Sequence, residues 1–484
     1  MKKNILFCTI LFLMFSNAFA QRIVNSAIGQ YSNFRNTLYY NSLYDEIFDR
    51  TFELSDGSIV TISNNQYSYY VTKWNKELAV LDKTEIEQTK KQIVYHSYIL
   101  NDVIYLFSCD LVKDDQYAYY YYEISCKEKL SIAIKNNSIN ARVIWHDTTY
   151  IYMLPEDNSG IQRVDMNTLQ TEKVIVPVQN LALRNSTCYA DKGYVIFMYE
   201  AVNAAKSKTT DNSIETYVLE TRTWKINKLS ADFIVDKINV EELDVAVNRD
   251  SIYFMTYSNA SDHLLLEYKV LAYDFSSNKT FLEKKSSLTL TKYYHRDLAT
   301  VFFEVDPNTG NLILILDRYH TVINPTAGVK SSARPIFSAA VPLGGSGYSA
   351  FFELKEEFYK YVQIDYPVIY FNTTGDVLNV SYVYWPKTEM SDRLTESFFP
   401  GVLVVDGLVH VFVANPAMDG MTCYVYNTNG TLKDKIILFE NDKADKNIVC
   451  SSSIFNLSSG EFVFATVPPS IGKTGNYYKF NVYK

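Results

Sequence analysis

The feature that most restricts the fold is a short pattern that returns along the whole chain. A turn containing Asp, Asn or Gly is followed at once by a run of mostly apolar, β-favouring residues. It reads Asp56-Gly57 then Ser-Ile-Val-Thr-Ile, Asn101-Asp102 then Val-Ile-Tyr-Leu-Phe, and His146-Asp147 then Thr-Thr-Tyr-Ile-Tyr-Met. It returns at Lys192-Gly193, Arg249-Asp250, Thr309-Gly310, Asp406-Gly407 and Ser459-Gly460. Gly, Asn and Asp tolerate the backbone angles that tight turns demand, so they set where each strand begins. The runs are too short for most helices and lack clean polar alternation, which predicts strands covered on both faces.

Spacing then selects the architecture. Gly57, Asp102, Asp147 and Gly193 are 45, 45 and 46 residues apart. That is the period of a propeller blade, whereas helical repeats would carry a 3.6-residue rhythm inside each unit. After most of these strands comes an amphipathic strand, a polar turn and a further strand with a charged end, as in Tyr426-Asn427-Thr428-Asn429-Gly430-Thr431-Leu432. Two hairpins per unit make a four-stranded blade. The reading is therefore an all-β chain with a single β-propeller of four-stranded blades, eight by count with seven as the alternative. The inner strand of each blade is expected to be the buried apolar run. Residues after Gly460 hold about two strands, and residues 37–54 supply two more. Pairing them would let N- and C-terminal strands share a blade and remove a sheet edge. The double glycines, Trp-Asp dipeptides and Ser-x-Asp-x-Gly-x-x-Trp turns that mark familiar propeller families are missing at blade spacing.

The first twenty residues have another character. Lys2 and Lys3 precede the apolar stretch Ile5 to Phe15, and Ala18-Phe19-Ala20 places small residues where a signal peptidase reads. The stretch is too short to cross a bilayer. The expectation is a signal peptide over 1–20 and a propeller domain over 21–484, exported to the periplasm, to an outer-membrane-associated position or outside the cell. Removing two lysines takes the formal charge from −8 to −10. An acidic chain without a basic cluster repels phosphate backbones, so nucleic acid is excluded as an expected partner. Five cysteines would remain, an odd number, and none has zinc-site spacing. They read as buried free thiols in preference to a Cys109–Cys126 bridge, and no cofactor or metal is implied.

Few residues carry chemistry. Asp317-Arg318-Tyr319-His320 follows the aliphatic run Leu312 to Leu316 and precedes what reads as the longest irregular stretch, Thr321 to Tyr348. A rigid strand presenting polar residues beside a long loop is a common recognition arrangement, so these four form the candidate binding site. Trp145-His146-Asp147 and His295-Arg296-Asp297 pair histidine with a carboxylate, but His146-Asp147 occupies the repeat's turn position, where Asp serves the backbone. The Gly344-Gly345-Ser346-Gly347 stretch lacks the Lys-Ser/Thr of a phosphate loop. The chain's 40 tyrosines suit half-buried strands, and exposed rows of them suit sugar rings or protein interfaces. Two functional classes follow. One is a non-catalytic platform that binds protein or glycan, alone or associated with an outer-membrane complex. The other is a carbohydrate hydrolase or lyase with carboxylates at the channel mouth.

Overall fold

A computed structural model describes residues 27–31 and most of 50–480. It leaves out 1–26, 32–49, 481–484 and several connections, among them 202–210, 324–335 and 391–399. The described residues contain strands and no helix, and hence no helix able to cross a membrane. They form a β-propeller of four-stranded antiparallel blades, the fourth carrying an added short strand, Phe233–Asp236, paired with Asp211–Glu220.

Seven blades, against the eight expected, are each built from one stretch of chain. They span 50–87, 93–134, 141–175, 183–228, 244–289, 297–390 and 401–440. The eighth turn of the sequence count, Ser459-Gly460, belongs to a sheet of mixed origin. There Ile448–Asn456, Phe462–Val467 and Gly475–Phe480 pair in order, and the N-terminal strand Ala27–Tyr31 pairs with Gly475–Phe480. Of residues 37–54, expected at that position, 37–49 lie outside the described residues. Their described strand, Arg50–Glu53, opens the first blade by pairing with Ile59–Asn64. The sequence offered no way to rank Ala27–Tyr31 above it, because five residues of mixed polarity carry little strand signal.

The turns form as their residues require. Asn101 and Asp102 take φ of 52° and 59°, and Gly57, Gly193, Gly310, Gly407 and Gly460 are left-handed as well. Each apolar run becomes the second strand of its blade. The innermost ring belongs instead to the first strands, which lie against one another between neighbouring sheets, as Asp244–Asn248 lies against Asp297–Val305. This corrects the placement of the apolar runs at the centre: they are buried because first and third strands flank them and other blades cover both faces. Fourth strands form the rim, where Thr171–Ile175 and Lys279–Thr289 alternate between exposed and half-buried residues.

First strands also carry a recurrent register shift. It occurs between Val94 and His96, Val143 and Trp145, Leu183 and Ser186, Thr300 and Phe302, and Cys450 and Phe455. Bulges bend a strand and increase its twist, which suits strands gathered around a central axis.

Alternation within each blade sends one set of apolar residues to each neighbour. In the sixth blade Leu312, Leu314 and Leu316 pack with Met255 and Val270 of the fifth, whereas Ile313 and Ile315 pack with Val411 and Phe412 of the seventh. Polar contacts tie blades at their turns. Asp102 accepts from Ser55 N and Oγ at 2.8 and 2.5 Å, and Gly430 O accepts from Asn379 Nδ2 at 2.6 Å. The mixed sheet is joined to the first blade in the same way: Glu53 accepts from Ser458 N and Oγ at 2.6 and 2.7 Å, and Lys479 Nζ donates to Lys76 O.

The described parts of the stretch expected to be the longest loop are strands. Strand two of the sixth blade runs on to Ile323, and Ile336–Leu343 pairs with Gly347–Glu353 as an inserted hairpin. This hairpin comes against first strands of the second, fourth and sixth blades, so it reaches over the centre of the ring.

Candidate functional site

The interface between blades five and six changes character along its length. Its apolar part contains Ala246, Met255, Phe303, Leu312, Leu314 and Leu316. Toward the end from which the inserted hairpin emerges, the same face turns polar. Register explains how. Thr300 pairs with Leu316 and Leu298 pairs with Arg318, so Thr300 and Arg318 share the face that looks toward blade five. On the other side Asp244 shares a face with Ala246, which looks back toward blade six.

Two polar groups form there. In the first, Arg318 and Asp365 are fully buried and directly opposite on neighbouring strands. Arg318 Nε donates to Asp365 Oδ1 at 2.5 Å, and Nη2 donates to Oδ2, giving a two-point ion pair. The guanidinium also lies 5.5 Å from the centre of the Tyr382 ring. Burial pushes the Asp365 carboxyl up, and Arg318 opposes that shift with its hydrogen bonds and charge. The strands lose register beside this pair, between Arg318 and Tyr319 and between Gln363 and Asp365.

In the second group, Thr300 Oγ1 donates to Asp244 Oδ2 at 2.6 Å, and Tyr257 OH lies 2.7 Å from Thr300 Oγ1. Thr300 has one proton and gives it to Asp244, so Tyr257 is the donor to Thr300. Burial pushes the Asp244 carboxyl up to about 7, against the lowering effect of the Thr300 bond. Among the described residues Thr300 is its one hydrogen-bond partner, and no cation pairs with it.

The four residues singled out by sequence all lie within Leu312–Ile323 instead of at the root of a loop. Asp317 is 8% exposed, and Arg318 is committed to Asp365. The side chains of Tyr319 and His320 lie outside the described residues, and their backbones pair with Gln363 and Val362. Sequence reasoning missed Asp244, Thr300 and Asp365. Only the short alternation Asp244-Val245-Ala246-Val247 hinted at the first, by setting a carboxylate on a face otherwise apolar.

Other expectations meet plain outcomes. Asp147 does serve its turn, accepting from Thr149 N, Tyr150 N and Tyr152 OH, each at 2.7 Å. His146 stacks on Tyr98 at 3.8 Å, and burial lowers its ionisation to about 4. His295 and Arg296 lie outside the described residues. Cys126 and Cys423 are buried free thiols, and burial raises both above the ordinary thiol range. Among the described residues no group of three or more His, Cys, Asp or Glu is placed to hold a metal.

The sequence matches no protein-family model and no curated protein. Among solved structures, the polysaccharide lyase Uly1 aligns with 96% of this chain and 98% of its own, at 9% identity and a TM-score of 0.42. The β-propeller domain of the Trilobed protease from Pyrococcus furiosus covers 81% of this chain and 93% of its own, at 9% identity and TM-score 0.36. The WD40 domain of Toxoplasma gondii coronin covers 96% and 89%, at 9% identity and TM-score 0.35.

Proposed function

We propose that this protein is an exported, non-catalytic interaction propeller that binds a protein or a glycan at the polar end of blades five and six. One observation carries the reading: a rigid, closely packed interface ends in hydrogen-bonding groups beside a hairpin inserted into the sixth blade. Binding sites built on rigid elements hold their geometry better than sites on loops. Within this reading Arg318, paired with Asp365, fixes the middle of the strand Leu312–Ile323 with the buried Asp317 beside it, and Tyr319 and His320 carry the ligand contacts. Cleavage after Ala20 releases the mature chain, and the ligand is met in the periplasm, at the outer membrane or outside the cell.

The mixed sheet serves as an eighth blade in this proposal, closing the ring with Ala27–Tyr31 as its outer strand. The bonds from Ser458 to Glu53 and from Lys479 to Lys76 support that role.

A carbohydrate-cleaving activity is the second reading, and Asp244 is what favours it. A carboxyl that ionises near neutrality is suited to general acid or base work. The two readings part in one experiment. The mature protein is incubated with neutral and uronate-containing polysaccharides while reducing ends and unsaturated products are followed, and in parallel is applied to a glycan array and to native extracts. Retention without turnover supports the platform. Turnover that Asp244→Asn abolishes overturns it in favour of the enzyme.

A further inference from the structure

Asp244 and Asp365 are both carboxylates in the interface between blades five and six, and they differ in how their charge is met. Asp365 has the Arg318 fork across both oxygens. Asp244 has one neutral donor, Thr300, on Oδ2, and that donor is itself held by Tyr257. Among the described residues nothing hydrogen-bonds Oδ1, and no salt bridge reaches the residue. Asp244 is half-buried and sits on the first strand Asp244–Asn248, which belongs to the innermost ring.

A carboxylate in such a place lacks only a positive partner. Taking a charge from water without a counter-charge is costly, and a proton or a bound cation removes the cost. We propose that Asp244 is the anchor of a site between the innermost strands of blades five and six for an alkylammonium group, namely a lysine side chain of a protein partner. This rests on the interaction-platform reading and names its partner's chemistry.

Three observations shape the assignment. Oδ2 is already occupied by Thr300, so one oxygen is open, and a single-point ammonium fits one oxygen whereas a guanidinium fork is made for two. The Tyr257–Thr300–Asp244 chain fixes the orientation of the carboxylate, so the open oxygen is aimed before any ligand arrives. The chain's formal charge of −8 draws cations toward it and disfavours anionic ligands. Burial supports the same view, since it holds the Asp244 carboxyl near 7 for want of a cation.

The test is calorimetric titration of the mature protein with n-butylammonium chloride and with the peptide Gly-Lys-Gly at constant ionic strength. n-Butanol, methylguanidinium and methyl glucoside serve as comparisons. A carboxyl titrating at about 7 is about one-eleventh ionised at pH 6 and ten-elevenths at pH 8. The affinity for both ammonium probes should therefore rise about tenfold between these pH values. Asp244→Asn should abolish binding of both. If Asp244→Asn fails to fold, Thr300→Val carries the test: losing the donor raises the ionisation point of Asp244, and the gain in affinity moves to higher pH. Affinity that is flat with pH, or retained in Asp244→Asn, overturns the proposal. So does exclusion of Gly-Lys-Gly, methylguanidinium binding as tightly as n-butylammonium, or methyl glucoside binding that depends on Asp244. Extracts separate this failure from that of the platform reading. A native partner retained equally by wild type and Asp244→Asn removes only this site, whereas no retained protein or glycan removes the platform.

Discussion

Replacing Arg318 with Met removes the guanidinium and keeps most of its volume, leaving Asp365 buried with its counter-charge gone. Both residues are fully buried, and the pair is joined at two points. Breaking one side of such a pair costs about 3–5 kcal/mol, most of it the penalty of the charge left behind. With an unfolding entropy of about 2.1 cal/mol/K per residue, a chain of 484 residues loses about 1 °C of melting temperature per kcal/mol. Arg318→Met should therefore melt about 3–5 °C below wild type at neutral pH. The deficit has a predictable pH dependence. Asp365 is already raised by burial, and without Arg318 its folded pKa rises further above the unfolded value. A carboxyl raised on folding favours the folded state at low pH, and that contribution is lost as pH rises from the unfolded pKa toward the folded one. The deficit should thus be smaller at pH 5 than at pH 8. The double variant Arg318→Met/Asp365→Leu removes both charges and should recover most of the loss, because apolar replacement of a whole buried pair is close to neutral. The assay is differential scanning calorimetry at both pH values. A single variant within about 1 °C of wild type, or a double variant no more stable than the single, would refute the reasoning.

His410 is fully buried between the rings of Phe412 and Phe462, and burial lowers its ionisation to about 4 from 6.5. Its folded pKa is depressed, so as pH falls from 6.5 to 4 the unfolded chain takes up the proton first and up to about 3 kcal/mol of stability is lost. Denaturant midpoints followed over that range should drop more steeply in wild type than in His410→Phe, and equal slopes contradict this. Deleting residues 21–31 bares the edge of Gly475–Phe480, which should lower the unfolding midpoint and promote association measured by light scattering. An unchanged midpoint would show that Ala27–Tyr31 does not hold the ring. Mass spectrometry of the exported protein should find Gln21 first, and an intact Met1 would remove the export argument.

What the sequence displayed was local. The turn at Asn101-Asp102 and the apolar run that follows depend on residues a few positions apart, so blade period and strand number per blade could be counted directly. What it hid was distant or quiet. Arg318 looked like a surface residue because its partner Asp365 lies 47 positions on, beyond the inserted hairpin. Asp244 gains its character from burial between blades, and its hydrogen-bond donor Thr300 lies 56 positions away on another blade. The inserted hairpin escaped notice because Ser338-Ala339-Ala340 and Gly344-Gly345-Ser346-Gly347 read as loop residues. Bulges such as that between Thr300 and Phe302 arise from how strands gather around the axis, and they have no signature in composition.

The central claim is that ligand is held at the polar end of blades five and six without being transformed. Its most direct test is a comparison of wild type with Tyr319→Ala/His320→Ala on glycan arrays and in quantitative capture from native extracts, with melting temperature measured alongside. The account predicts at least a tenfold loss of the retained glycan or protein with melting unchanged within about 1 °C, since about 1.4 kcal/mol of lost contact is tenfold in affinity. Undiminished retention by the double variant would contradict it.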